Sequence, residues 1–351
     1  MSSTPAPTIP SRSLATLSPA NFGMVMATGI VSLAAKFLQY DSIALVLFYL
    51  NMALYGVLIC LTIVRAWCFP HHFISDMMDH AKGMGFFTFV AGTNVLASQT
   101  IIIGENYRIA TVLGGIGLVS WALLTYVIFT VFVVKENKPS LDAGINGAWL
   151  LAVVATQSIA VLSALVAART GQLHRLEMNF VALSMWLWGG MLYIWMMSLI
   201  FYRYTFFRLA PGDLAPPYWI NMGAMAISTL VGAQLIDNAP HAPYLYSLLP
   251  FVKGFTVFYW ATATWWIPML VILGLWRHVY KRFPLTYDPL YWGAVFPLGM
   301  YAACTWRLAT AMDLPFLEFI PSVFFPIAMI AWSVTFVGLL RRVGRRSAEL
   351  V

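Results

Sequence analysis

Long uncharged apolar runs recur along the whole chain, each near or above the roughly 20 residues that cross a bilayer. Short turns that contain many of the prolines separate them. The pattern predicts ten helices, at roughly residues 20–37, 42–68, 83–103, 109–134, 148–168, 178–205, 217–237, 249–280, 289–309 and 317–341. Alternation of polar and apolar positions, typical of a membrane barrel, is absent from the sequence. We therefore expect an all-α polytopic membrane protein.

A longer period groups these helices in pairs. An aromatic or amide residue followed by small residues at helical spacing occurs five times, each roughly 63 to 73 residues after the last. The five starting positions are Asn21, Phe86, Trp149, Trp219 and Trp292. Because this period accommodates two membrane-spanning helices and their turns, we predict five helical hairpins.

The small residues form a stripe on one face of each odd-numbered helix. If these helices surround an axis, the stripe would line a narrow, weakly polar and uncharged passage. Close helix packing without a pore is the alternative interpretation. The predicted pore-lining residues are Val25, Thr28, Ser32, Val90, Thr93, Ala97, Val153, Thr156, Ala160, Gly223, Ala226, Gly299 and Ala303.

One large side chain, Phe296, intrudes into this stripe, and Pro297 follows it. A hydrophobic constriction of this kind can close a channel by excluding water. We therefore expect Phe296 and Pro297 to form a gate.

Two cations occupy the same position of the repeat, Lys36 in the first helix and Arg307 in the ninth. Both would lie near the outer ends of their helices, where they could form a positive mouth that attracts anions. The alternative is that each side chain extends to the membrane interface or pairs with Asp41, Asp313 or Glu318.

Composition and charge fit a membrane protein. Hydrophobic residues make up 61% of the chain and charged residues 9%, which excludes a soluble protein. By sequence, about 14 Lys and Arg residues fall on the side of both termini and about six on the other, which predicts cytoplasmic termini. We expect a disordered N-terminal tail over 1–19, a transmembrane domain over 20–342 and a basic cytoplasmic tail over 343–351.

A cluster of histidines and aspartates motivates a rival hypothesis, an intramembrane metalloenzyme that uses His71, His72 and His80 with Asp76 and Asp79. The whole chain has only 6 His residues, too few for a di-iron site of the histidine-box kind. Nucleotide-binding motifs and a nucleophile paired with His are absent from the sequence. We therefore expect a solvated turn here, and no catalytic residue, metal or cofactor.

Two motifs resemble a known family: NFGMVMATG at Asn21–Gly29 and WGAVFP at Trp292–Pro297. They are similar to the tellurite-resistance/dicarboxylate transporter family, which includes bacterial tellurite-resistance protein A, yeast malate and sulfite transporters and the slow anion channel of plant guard cells. The resemblance covers roughly residues 18–342. It implies a quasi-five-fold arrangement with the odd helices around a pore, a homotrimer with one pore per subunit, and a pore-blocking phenylalanine at Phe296.

The resemblance also implies a function. We expect an anion channel, or a transporter of the C4-dicarboxylate or tellurite-resistance type, in the plasma membrane (the inner membrane in a bacterium). An ion-coupled exporter of sulfite or dicarboxylate is the alternative. Ionisable residues are absent from the middle of the odd helices, which favours passive movement. The expected partners are a small anion, the lipid bilayer and copies of this chain, with no nucleic acid.

Overall fold

Ten long helices form the protein. The computed structural model describes residues 14–169, 171 and 173–348, with side chains to residue 345, and every regular element in these ranges is helical. The long helices are α1 Gly23–Phe37, α2 Asp41–Cys68, α3 Phe87–Ile102, α4 Tyr107–Val134, α5 Leu151–Ala168, α6 Arg175–Phe206, α7 Ile220–Asn238, α8 Leu249–Leu275, α9 Trp292–Met312 and α10 Phe319–Ala348. The predicted all-α class is confirmed, and each predicted helix corresponds to one observed helix.

A 3₁₀ turn leads into each odd-numbered helix, a feature that hydropathy alone does not predict. The five turns are Pro19–Phe22, Gly83–Phe86, Gly147–Leu150, Pro216–Trp219 and Pro289–Tyr291. Each turn contacts the next, and the last contacts the first, so the turns form a closed circle. Leu17 and Arg342, near the two ends of the described chain, line one cavity on this side of the protein. We call this side the terminal face.

The odd-numbered helices form an inner ring. The contacts run from α1 to α3, α5, α7 and α9, and α9 returns to α1. Almost every residue of α7 is buried, and the other inner helices are buried nearly as completely. This order is the one that the expected quasi-five-fold arrangement requires; the degree of symmetry stays a prediction.

The even-numbered helices form an outer layer. Each packs on the odd helix before it and contacts the odd helix after it, and α10 contacts α1. Large apolar side chains cover the outward faces, for example Val119 and Tyr126 of α4. Within the described ranges, every long helix except α9 is apolar and long enough to cross a bilayer. The 21 residues of α9 would span about 31 Å, also enough to cross.

Basic side chains at the ends of four outer helices anchor the segments that lead into the inner helices. Each belongs to the same hairpin as the segment that it binds, and each donates a hydrogen bond to a backbone carbonyl there. The four bonds run from Arg65 Nε to Ala15 O at 3.2 Å, Lys135 Nζ to Met78 O at 3.2 Å, Arg203 Nε to Asp142 O at 2.9 Å, and Arg277 Nη1 to Leu214 O at 2.6 Å. We call these four residues the anchoring cations.

The described structure extends beyond the predicted transmembrane domain at both ends. Of the expected tail over 1–19, residues 1–13 lie outside the described part, while Ala15 is buried and bound by Arg65. At the other end, α10 continues to Ala348, into the expected tail over 343–351, and residues 349–351 lie outside the described part.

We expect Arg203→Gln to destabilise the fold. Arg203 is 6% exposed, and it also donates from Nη1 to Tyr218 Oη at 2.8 Å. Its loss would leave the partly buried Asp142 carbonyl and the buried Tyr218 hydroxyl without this partner, at a cost of about 1–3 kcal/mol. The measurement is the thermal unfolding midpoint in detergent, with the exposed Arg208→Gln as the charge-matched control. Equal midpoints for the two variants would contradict an anchoring role.

Candidate pore

A small central cavity lies where the inner helices meet at the terminal face. Its volume is about 30 Å³, enough for a water molecule, and residues from all five inner helices or their turns line it. The lining follows rows spaced by three residues, which is one face of a helix turn. It comprises Ala20, Gly23 and Met26; Thr88; Ala148 and Leu151; Pro217 and Ile220; and Pro289, Leu290, Trp292, Gly293 and Phe296.

Phe296 lines this cavity. Its side chain is 1% exposed, as is that of Met26, so both side chains are packed within the protein at this level. Pro297 packs against α7 so closely that a Cβ on Gly223 would lie 2.7 Å from Pro297 Cγ. Because proline has no N–H, the Gly293 carbonyl lacks its helical donor, which loosens the first turn of α9 beside Phe296.

The structure places Met26, rather than Val25, at the cavity with Phe296. Val25, Val90 and Val153 are fully buried but do not line it. Adjacent residues point in different directions because one residue turns a helix by about 100°. The row Leu290, Gly293, Phe296 was the available signal for the face that lines this cavity.

Three predicted pore-lining threonines instead lie at seams between inner and outer helices. An aromatic side chain of an outer helix meets each hydroxyl, which favours a role in packing over the predicted role in the pore. The pairs are Trp332 Nε1 with Thr28 Oγ1 at 3.0 Å, Tyr55 Oη with Thr93 Oγ1 at 3.0 Å, and Trp121 Nε1 with Thr156 Oγ1 at 2.9 Å. A similar bond joins Trp260 to Thr305 at 3.0 Å.

The remaining predicted pore residues are also packed within the protein. Ser32 donates to the Ala44 carbonyl of α2 at 2.7 Å, and a Cβ on Gly299 would lie 3.0 Å from Val31. The others are buried and do not line the central cavity: Ala97, Ala160, Gly223, Ala226 and Ala303. Of the predicted pore and gate residues, Phe296 alone lines this cavity.

Both predicted anion-attracting cations have carboxylate partners. Lys36 Nζ lies 2.7 Å from Asp41 Oδ1, the partner anticipated as an alternative. Arg307 pairs with Asp237 of α7, a partner 70 residues away that the sequence did not suggest. The pairing lowers the positive potential expected at this mouth. Apart from Lys36, Asp237 and Arg307, the five inner helices contain no charged side chain over the ranges given for them.

The histidine cluster does not form a metal site. Asp76 pairs with Arg65 and with Lys82, and the His80 ring stacks 4.1 Å from Phe132. Burial, followed by the charge of Lys135, lowers the pKa of His80. Across the described ranges there is no group of three or more His, Cys, Asp or Glu that could hold a metal ion.

An inner ring of weakly polar helices inside an apolar, lipid-compatible outer layer defines a polytopic membrane transport protein. The model of the SLAC1 family, described as voltage-dependent anion channels, matches residues 16–340. The chain belongs to this family, and its function is anion transport across a membrane rather than enzymatic catalysis.

Several relatives are similar to this chain, one over less than half of its length and others over most of it. An uncharacterized membrane protein of Mycobacterium tuberculosis is 42% identical over 149 residues, which cover 42% of this chain and 75% of that protein. An uncharacterized transporter of Methanocaldococcus jannaschii is 26% identical over 92% of this chain and 93% of its own. A sulfite efflux pump of Trichophyton rubrum is 26% identical over 91% of this chain and 88% of its own.

We expect Thr156→Val to separate the packing role from a pore-lining role. The change removes the acceptor of the Trp121 indole, so the unfolding free energy should fall by about 1–3 kcal/mol while anion flux per folded protein is kept. Thr111→Val is the matched control, because Thr111 is exposed and bonds only within α4. Altered flux with unchanged thermal stability would restore the pore-lining role.

Proposed function

We propose that this protein is an anion channel or facilitator in which Phe296 is the gate. The observation that carries the proposal is the central cavity, where residues of the five inner helices or their turns meet the buried ring of Phe296. In this reading, Phe296 must move for an anion to pass. Pro297 supports such a movement, because the helix beside the ring lacks one backbone hydrogen bond.

Helix dipoles support a preference for anions. All five inner helices begin at the circle of 3₁₀ turns, so their amino ends point to the central cavity from the same side. Each amino end is equivalent to about +0.5 elementary charge. This positive field does not need a charged side chain. It therefore suits a passage in which the two cations at the far end, Lys36 and Arg307, are paired with carboxylates.

The substrate that we favour is sulfite or another small inorganic oxyanion. One relative is named a sulfite efflux pump, and a C4-dicarboxylate or a tellurite ion remains within the same class of function. The ion-coupled sulfite or dicarboxylate exporter stays the second candidate, favoured by the word pump in that name. Flux of sulfite, chloride and malate in liposomes, with and without a membrane potential, distinguishes passive from coupled movement.

Orientation and assembly belong to the proposal. The anchoring cations add to the basic residues of the terminal face, which supports cytoplasmic termini and a plasma-membrane location. The homotrimer rests on the family resemblance, and the apolar outward faces of the outer helices are compatible with lipid or subunit contact.

We expect Phe296→Ala to raise anion flux several-fold. Removal of the ring opens a gap in the layer that water and anions can fill. The matched control is Phe87→Ala on α3, because Phe87 is 0% exposed and does not line the central cavity. Both truncations should lower stability by about 3–5 kcal/mol, but only Phe296→Ala should raise the flux per folded protein.

The opposite result would contradict the role of Phe296 as a gate. If Phe296 is ordinary core, both variants lose yield and flux together. A folded Phe296→Ala protein with flux at or below that of the unchanged protein would end the gate proposal.

A topology measurement tests the orientation. A reporter fused to the C-terminus should report the cytoplasm, because the terminal face carries the excess of basic residues. The control is a reporter fused after Asp313, in the turn between α9 and α10, which should report the opposite side. Reversed signals from the two fusions would mean that the termini are extracellular.

A further inference from the structure

A large cavity opens beside the central cavity on the terminal face. Its volume is about 660 Å³, and we call it the antechamber. Its walls come from the segment before α1, from α2, from the segment before α9 and from α10. The two cavities share five lining residues, Ala20, Ala148, Pro289, Leu290 and Trp292. The antechamber therefore lies next to the cavity that Phe296 lines, on the terminal face.

Three charged side chains line the antechamber: Lys82, Asp288 and Arg342. Asp288 accepts a hydrogen bond from the Leu290 amide at 2.8 Å, and Lys82 pairs with Asp76 at 3.0 Å. Within the described ranges, Arg342 has no carboxylate or hydrogen-bond partner; its guanidinium carbon lies 5.9 Å from the centre of the Tyr287 ring. Arg342 is the cation left available in this cavity.

The other hairpins show why this is unusual. Each of the four anchoring cations donates a hydrogen bond to a backbone carbonyl in the segment before the odd helix of its own hairpin. Arg342 stands at the same place in the fifth hairpin, beside Tyr287 of the segment before α9. It makes no such bond in the described structure. In four hairpins the cation binds a backbone carbonyl, whereas Arg342 of the fifth hairpin lines the antechamber.

We propose that Arg342 is the anion-binding residue of the antechamber, where it receives a small oxyanion before the anion passes Phe296. This inference rests on the proposed function and names a site for it. A guanidinium presents paired N–H donors that match two oxygens of one oxyanion, and its charge does not titrate near neutral pH. Stacking on Tyr287 would hold the fork in place for the ligand.

A phospholipid headgroup offers the same oxyanion chemistry. The wall from α2 includes Leu54, Val57 and Leu61, and Val57 is 57% exposed, so an acyl chain could lie against it. The lining residues shared with the central cavity favour the free anion. The experiment must separate the two sources.

The test compares three variants of the full-length protein with the unchanged chain. Arg342→Gln removes the fork, and Arg342→Lys keeps the charge without the fork. Arg341→Gln removes a charge from the exposed neighbour, which does not line the antechamber. Sulfite binding is measured by calorimetry in neutral detergent, and the half-saturating sulfite concentration for flux is measured in phosphatidylcholine liposomes.

We expect Arg342→Gln to weaken sulfite binding and to raise the half-saturating concentration by about tenfold or more, with a maximal flux close to that of the unchanged chain. Arg342→Lys should fall between, and Arg341→Gln should match the unchanged chain. Loss of calorimetric binding in Arg342→Gln supports the site even if the unchanged protein shows no flux, in which case the proposed function fails alone.

Two results would overturn the inference. One is sulfite binding in Arg342→Gln equal to that of the unchanged chain. The other is a change that follows the lipid. In that case Arg342→Gln keeps its sulfite binding but loses co-purifying phospholipid, or its effect on flux appears only when phosphatidylglycerol is added to the liposomes. The second result would assign Arg342 to a lipid.

Discussion

Backbone carbonyls at the membrane boundary need donors, and the terminal face depends on meeting that need. The segments that lead into the inner helices consist of short helices and turns, so their carbonyls are not all satisfied within a helix. The anchoring cations supply the missing donors from the ends of the outer helices, where a positive charge also suits the helix dipole. They tie each segment to its own hairpin and so support the circle of 3₁₀ turns. That circle brings the amino ends of five helices to one cavity.

The excess of basic residues on the terminal face therefore has two physical origins. Orientation in the membrane explains why basic residues collect on one face. Hydrogen bonding explains why Arg65, Arg203 and Arg277 are nearly fully buried there. A count of Lys and Arg along the chain detects the first effect and says nothing about the second, because the acceptor carbonyls have no sequence signature.

Hydropathy and periodicity were enough to predict the helices and their pairing, and they drew attention to Phe296, which lines the central cavity. The register of the inner faces needed the structure. Trp149 is the third residue of its 3₁₀ turn and Trp219 is the fourth, so an alignment on these residues rotates one helix against another. The threonine positions had the same ambiguity: a hydroxyl on a membrane helix can face a passage or a neighbouring helix, and the indole partners on the outer helices decide which.

The fifth hairpin departs from a repeat that the other four keep. It carries Phe296 and Pro297 at the central cavity, and its equivalent of the anchoring cations, Arg342, makes no carbonyl bond in the described part of the chain. Closure of the inner ring needs all five hairpins, because α9 joins α7 to α1. Anchoring of the terminal face, however, is provided by the other four. A repeat that leaves one member free of this structural role can place the proposed gate and the proposed anion-binding residue in the same hairpin.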